Sequence, residues 1–151
     1  MSNSELEKKL NHLIERNYDA EKGFKQVVEG IEHKGFQKIM DKSIQERYRF
    51  GHEIKAIMGD LGMKPEKGSS VEGDLHRAWM NIREIFSTNN DAAMLDEAIR
   101  GESHALDAYI EILNSTDLQK GHADILLNHV QSINATKNDL ETLKQNVEAT
   151  A

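Results

Sequence analysis

Four ionisable side chains in this sequence lie where a helix would bury them, and they could either bind a metal or form a buried ion network. Glu102 is the clearest of them, because apolar or aromatic residues recur around it at steps of three and four. An unpaired buried charge is too costly, so this carboxylate must be protonated, paired or bound to a metal. Its neighbours on the predicted helix face are Leu95, Ala98, Ala105, Tyr109 and Ile112.

Arg47, His129 and Glu21 complete this set, each on a different predicted helix. Arg47 and His129 occupy apolar helix faces, and Glu21 lies beside the apolar face of the first helix. All four residues lie about thirteen residues from a predicted turn, so they fall within about 5 Å of one layer if the helices of Arg47 and Glu102 are parallel. We therefore predict a buried polar layer in which Arg47 contacts at least one carboxylate.

Five helices would position these residues. Hydrophobic periodicity predicts that four of them are long and one is shorter. Gly35 is expected to end the first helix in the left-handed C-cap conformation, so that the first two long helices form an antiparallel hairpin. The long helices are predicted over residues 4–33, 36–62, 91–114 and 117–147, and the shorter helix over 70–87.

The connection between the two hairpins decides the predicted topology. Its shorter helix, 70–87, would be about 25 Å long, which is close to the length of the bundle. The chain can therefore return along the outside of the bundle before the second hairpin begins. We predict an all-α single domain over 1–151, a ferritin-like four-helix bundle with two antiparallel hairpins joined by a long crossover that contains the shorter fifth helix. An up-down five-helix bundle is the alternative.

Composition excludes several classes of function. The chain has no Cys, so it forms no disulfide, zinc–thiolate site, iron–sulfur cluster or catalytic thiol. Its formal net charge of -7 argues against nucleic acid as a partner. No apolar run could span a membrane and the N-terminal segment does not resemble a signal peptide, so we expect a cytoplasmic protein without a membrane partner. Whether it forms a homo-oligomer is left open.

A metal centre is the alternative use of the polar layer. Ferritin-like di-iron proteins take one Glu from each of two helices and a Glu-x-x-His motif from each of the other two. This sequence contains no Glu-x-x-His motif. Glu21, Glu102 and His129 are the candidate ligands for iron or another divalent metal, but Arg47 in the same layer would repel a dication. The preferred prediction is a structural ion network without a cofactor.

Three segments resemble the signatures of a bacterial family, domain of unknown function 2383, which is placed among ferritin-like folds. They are Asp19-Ala20-Glu21-Lys22-Gly23-Phe24, Gly68-Ser69-Ser70-Val71-Glu72-Gly73-Asp74-Leu75-His76-Arg77-Ala78-Trp79 and Arg100-Gly101-Glu102. The resemblance covers nearly the whole chain and implies a ferritin-like bundle of uncharacterised activity. The family usually has Gln where this chain has His129, and often His where it has Lys137. Both departures count against a shared metal site, and the resemblance supplies no catalytic residues.

These observations leave two classes of function. We expect a non-catalytic bundle, related to stress response, that acts through its surface or by self-association and whose polar layer has a structural role. No nucleophile–base pair or phosphate-binding loop is present, so no catalytic residue is predicted. The alternative is a ferritin-like metal-binding or redox protein that uses Glu21, Glu102 and His129. The missing Glu-x-x-His motif favours the first class.

Overall fold

The computed structural model describes residues 2–28, 31–66, 91–115 and 118–150. Over these ranges the chain forms helices and no strands, which confirms the all-α prediction. The predicted crossover helix, 70–87, lies outside the described residues. The four helices are α1 (Asn3–Val28), α2 (Lys34–Asp60), α3 (Asp91–Ser115) and α4 (Lys120–Thr150).

The four helices pack around one interior, as in a four-helix bundle. The helix α1 packs against α2, and α3 packs against α4. Contacts between α1 and α3, and between α2 and α4, join the two hairpins. Each described helix therefore has two of the others as neighbours, and the ring of contacts is closed. Over the described ranges, no helix is both long enough and apolar enough to cross a membrane.

Side-chain pairs give the directions of the helices. Glu53 of α2 contacts His129 of α4, while Asp60, further along α2, contacts His122, which comes earlier in α4. The helices α2 and α4 are therefore antiparallel. An ion pair between Asp96 near the start of α3 and a lysine near the end of α4 shows that these two are also antiparallel. It follows that α2 and α3 run in the same direction, and that α2 ends at the opposite end of the bundle from the start of α3.

The first hairpin turns earlier in the sequence than predicted. The helix α1 ends at Val28, and Gly35 lies inside the first turn of α2, so the prediction of Gly35 as a C-cap is wrong. His33 is the N-cap of α2, because its Nδ1 accepts the Phe36 N–H at 3.3 Å. The side chain of His33 satisfies a donor that would otherwise be orphaned in the first turn.

The apolar core is divided into two clusters with the polar layer between them. In α2, Arg47 lies between Ile44 of one cluster and Phe50 of the other. Glu102 occupies the equivalent position in α3. The cluster nearer the end of α2 includes Leu10, Ile14, Phe50, Ile54, Tyr109 and Leu126, and the other includes Phe24, Phe36, Met40, Leu95 and Leu140.

Gly51 allows α1 and α2 to approach closely. A Cβ atom at this position would overlap the ring of Tyr18, which packs against the α2 backbone. Gly59 lies two turns further along the same helix, and a Cβ atom there would meet nothing within 4 Å. The two glycines therefore provide a matched pair for testing the contact between the helices.

We expect Gly51→Ala to lower the free energy of unfolding by about 1–3 kcal/mol, because the Tyr18 ring must move to admit the methyl group. Gly59→Ala should raise it by up to about 1 kcal/mol, because alanine has the better helix propensity and nothing blocks it. Urea denaturation of both variants checks this prediction. Equal effects of the two substitutions would show that Tyr18 does not pack against Gly51.

Candidate functional site

Arg47 and Glu102 form an ion pair at the centre of the bundle. The Nη2 atom of Arg47 donates to Oε1 of Glu102 at 2.7 Å, and the two side chains are only 3% and 1% exposed. Arg47 belongs to α2 and Glu102 to α3, which are not neighbours in the described bundle. The ion pair therefore spans the interior from one hairpin to the other.

Asn17 of α1 and Tyr109 of α3 extend the ion pair into a longer chain of hydrogen bonds. Arg47 donates from Nη1 to Oδ1 of Asn17 at 3.0 Å, and Asn17 donates from Nδ2 to the Tyr109 hydroxyl at 3.0 Å. Asn17 and Tyr109 are both fully buried. Burial raises the pKa of Tyr109 well above its usual range, so the phenol stays neutral and keeps its proton for donation.

His129 of α4 extends the chain of hydrogen bonds from Tyr109 to the protein surface. The distance between the Tyr109 hydroxyl and Nδ1 of His129 is 2.9 Å, and Nε2 of His129 lies 2.6 Å from Oε1 of Glu53. Burial lowers the pKa of His129, although the hydrogen bond to Glu53 acts in the opposite direction. A neutral imidazole that donates from Nε2 to Glu53 has Nδ1 free to accept from Tyr109. The ring also stacks on Phe50 at 4.0 Å between centroids.

We call this set of contacts the polar network. Arg47 donates in two directions, to Glu102 on one side and, through Asn17, Tyr109 and a neutral His129, towards the Glu53 carboxylate on the other. Every helix of the described bundle contributes at least one side chain, and the network ends at a side chain that is 40% exposed. Its members are Glu102, Arg47, Asn17, Tyr109, His129 and Glu53.

Glu21 lies outside the polar network. It is buried at 6% exposure, but its carboxylate pairs with Lys25, one turn further along α1, at 2.5 Å. No hydrogen bond or ion pair among the described residues joins Glu21 to the other predicted members of the layer. The structure thus brings Arg47, Glu102 and His129 into one network and places Glu21 in a separate pair.

The geometry does not suit a metal centre. Among the described residues, no group of three or more His, Asp or Glu side chains could hold a metal ion. Oε1 of Glu102 accepts from Arg47, and both ring nitrogens of His129 are within hydrogen-bond distance of other groups. Glu21 does not converge with them. The three candidate ligands therefore do not fit a di-iron site.

Three members of the polar network were not predicted from the sequence as site residues. Asn17 and Tyr109 occupy apolar helix faces, and a polar atom at such a position is the available signal for both. Glu53 carries no comparable signal, because it lies off the apolar face of α2. Its long side chain reaches His129 from the flank of the helix.

Removing the Tyr109 hydroxyl should weaken the network measurably. We expect Tyr109→Phe to lower the free energy of unfolding by about 1–3 kcal/mol, because His129 loses its donor and Asn17 loses an acceptor. Tyr48→Phe is the control, since Tyr48 is 54% exposed, and it should change stability by less than about 0.5 kcal/mol. Chemical denaturation measures both. A neutral effect of Tyr109→Phe would mean that its hydrogen bonds contribute nothing to stability.

The polar network also predicts a pH dependence of stability. The unfolded chain takes up a proton at His129 near the ordinary pKa of a histidine, 6.5, whereas the folded protein binds it only at lower pH. Stability from this residue is therefore fully present above pH 6.5 and is lost as the pH falls below it. The variant His129→Gln keeps one donor and one acceptor but cannot titrate. Chemical denaturation at several pH values below 6.5 should show that the free energy of unfolding falls less steeply with pH in the variant than in the original protein. The same pH dependence in both proteins would show that His129 does not cause the decline.

Comparison with known proteins identifies a family but no characterised relative. A family model described as "Domain of unknown function (DUF2383)" matches residues 5–115, which include every member of the polar network except His129. Neither the curated proteins nor the solved structures contain a significant match to the chain. Because the matched segment covers well over half of the sequence, the chain belongs to this family of unknown function.

Proposed function

We propose that this protein is a non-catalytic helical bundle in which the polar network sets the register of the four helices. The observation that carries the proposal is one continuous chain of hydrogen bonds with a side chain from every described helix. Its contacts measure between 2.6 and 3.0 Å. Buried polar residues are best attested as determinants of register and specificity, which is the role assigned here.

The network side chains already make hydrogen bonds or ion pairs with one another, which supports a structural rather than a catalytic role. A general base needs a lone pair directed at substrate, whereas Nδ1 of His129 lies within hydrogen-bond distance of the buried Tyr109 hydroxyl. The Glu102 carboxylate is neutralised by Arg47 rather than paired with a second carboxylate that would raise its basicity. The bundle would then act through its surface, by binding a partner or by self-association.

The proposal includes a ferritin-like topology. The four described helices already close around the interior, so a fifth helix is not required to complete the ring. The parallel directions of α2 and α3, with their connected ends at opposite ends of the bundle, suit a long crossover. We also place the protein in the cytoplasm, since a chain without cysteine is compatible with a reducing compartment.

The experiment that tests this proposal compares single and double substitutions at the buried ion pair. Arg47→Met alone leaves the Glu102 carboxylate buried without its partner and should lower the free energy of unfolding by about 3–5 kcal/mol. Adding Glu102→Leu removes that charge and should recover much of the loss. Asn17 loses its donor in both variants, so recovery will be incomplete.

Arg100 and Glu97 provide a matched control, because they form a more accessible pair of the same residue types in α3 at 2.8 Å, with side chains that are 64% and 22% exposed. The corresponding variants there should change stability by less than about 1 kcal/mol. Metal content is measured on the same samples, purified without chelator or affinity tag. If Arg47→Met increased bound iron and Glu102→Leu abolished it, the site would be a metal centre and the structural proposal would be wrong.

A further inference from the structure

The second hairpin, α3 with α4, exposes apolar side chains to solvent. Ile110 of α3 and Leu127 of α4 are each 44% exposed. Leu113 and Val130, about one turn further along the same two helices, are half-buried. In the part of the chain that the structure describes, Tyr48 of α2 is the only other large hydrophobic residue with comparable exposure. Exposed apolar residues are therefore concentrated on this hairpin.

Ile110 and Leu127 lie on the same face of the hairpin. Gly101 lines the space between α1 and α3, and Ile110, nine residues later, is half a helical turn around α3 from it. His129 contacts α2, and Leu127, two residues earlier, is on the opposite side of α4. The contact between Tyr109 and His129 sets Ile110 and Leu127 at nearly the same height. Together they form one apolar surface where α3 and α4 meet solvent.

We call this surface the outer face; it is the solvent-facing side of residues 99–114 and 123–138. Its centre is free of charge. In α4, residues 125–136 include no Asp, Glu, Lys or Arg, although these residues make up 30% of the chain. Asp124 comes directly before this segment and Lys137 directly after it. Depletion of charged residues is typical of the centre of a protein interface.

The acidic residues of α3 lie at or beyond the edge of the outer face. Glu111 pairs with Lys9 of α1 and so lies towards the other hairpin. Glu102 is buried in the polar network. Asp107 is exposed and lies at the rim of the outer face, one turn before Ile110. A protein that covers the outer face would therefore meet Asp107 at its edge and uncharged side chains at its centre.

The pattern of charges on α4 is self-complementary. Asp124 and Lys137 lie at nearly equal distances on either side of Val130. An antiparallel copy of α4 that is centred on Val130 would therefore place each Asp124 at the height of Lys137 in the other copy. The side-chain amides of Gln131 and Asn134 both donate and accept, so each could form hydrogen bonds with a second copy of itself.

The net charge also favours this face for contact between copies. Each copy carries a formal charge of -7, so two copies repel wherever their carboxylates meet. The outer face brings opposite charges together at its ends and few charges at its centre. We propose that it joins two copies of this protein into a symmetric dimer, in which the α4 helices pack antiparallel.

The size of the outer face sets the expected affinity. Sixteen residues of two neighbouring helices cover about 24 Å by 20 Å. The dimer would then bury about 500 Å² of each copy, about 1,000 Å² in total, which is at the low end for specific interfaces. Asp107 lies near the centre of the face along the helix axis, so its repulsion from its own copy lowers the affinity. We expect a reversible dimer with a dissociation constant of about 10–100 µM.

This proposal rests on the proposed function in one respect, because it names the surface and the partner for self-association. The two can nevertheless fail separately. A monomeric protein would overturn the dimer and leave the role of the polar network untouched. A metal centre at Glu102 would overturn that role and leave the oligomeric state as measured.

Sedimentation equilibrium of the full chain, from about 5 µM to about 1 mM, measures the dissociation constant. Leu127→Asp places a carboxylate against its own copy at the centre of the face and should weaken the dimer at least about tenfold. Tyr48→Asp makes a comparable change at a residue of α2 that is 54% exposed, and it should leave the dissociation constant unchanged. Circular dichroism checks that both variants remain helical.

Exchange of the two end charges tests the antiparallel arrangement. Asp124→Lys or Lys137→Asp alone sets like charges opposite one another at both ends of the dimer and should weaken it by about fivefold. The double variant restores opposite charges and should return the dissociation constant to within about threefold of the original value. A role of either residue within one copy would not produce this recovery.

Three results would overturn the proposal. A protein that stays monomeric at about 1 mM would leave the outer face to a different occupant, such as an amphipathic helix of another protein. A dimer that is equally strong in Leu127→Asp would form through another surface. A double charge variant that is no stronger than the single variants would show that the α4 helices do not pair antiparallel.

Discussion

The burial of Arg47 is the constraint on which the rest of the bundle depends. A guanidinium cannot be deprotonated in a protein, so it must be given acceptors wherever it lies. Here those acceptors come from two other helices, Glu102 of α3 and Asn17 of α1. The positions of three helices are therefore tied to one side chain of α2. Removing the two charges from water costs free energy that their attraction largely offsets, so in the proposed role the pair specifies one arrangement of the helices more than it adds stability.

The location of this constraint between two apolar clusters explains how it would act. Apolar side chains such as those around Ile44 and Phe50 can exchange neighbours at modest cost, since they need only similar volumes. A slip of α2 by one turn would move Arg47 by about 5.4 Å and place its charge against an apolar cluster. No comparable penalty would follow if the layer were apolar. In the proposed role, the polar network would thus discriminate between helix registers, which a continuous apolar core would do less well.

The sequence predicted the polar positions better than their contacts. Periodicity places Arg47, Glu102 and His129 on apolar faces because a helix repeats every 3.6 residues, and this holds without knowledge of the partners. It cannot show where a long side chain ends. Glu53 reaches the network from a flank, and Glu21, although buried, meets a local lysine four residues away. The start of α2 after His33 is not predicted either, because histidine is not among the preferred N-cap residues.

The ends of the polar network determine what can lie between them. Arg47 only donates and an ionised Glu53 only accepts, so every residue between them must use one donor and one acceptor along the chain. The Asn17 amide and the Tyr109 phenol meet this requirement, and the imidazole of His129 meets it only when neutral. A protonated imidazole would present a second donor to Tyr109, and a metal would compete for the lone pair that Tyr109 already uses. A chain of hydrogen bonds that runs in this direction needs a neutral His129, which agrees with the lowered pKa that burial gives its imidazole.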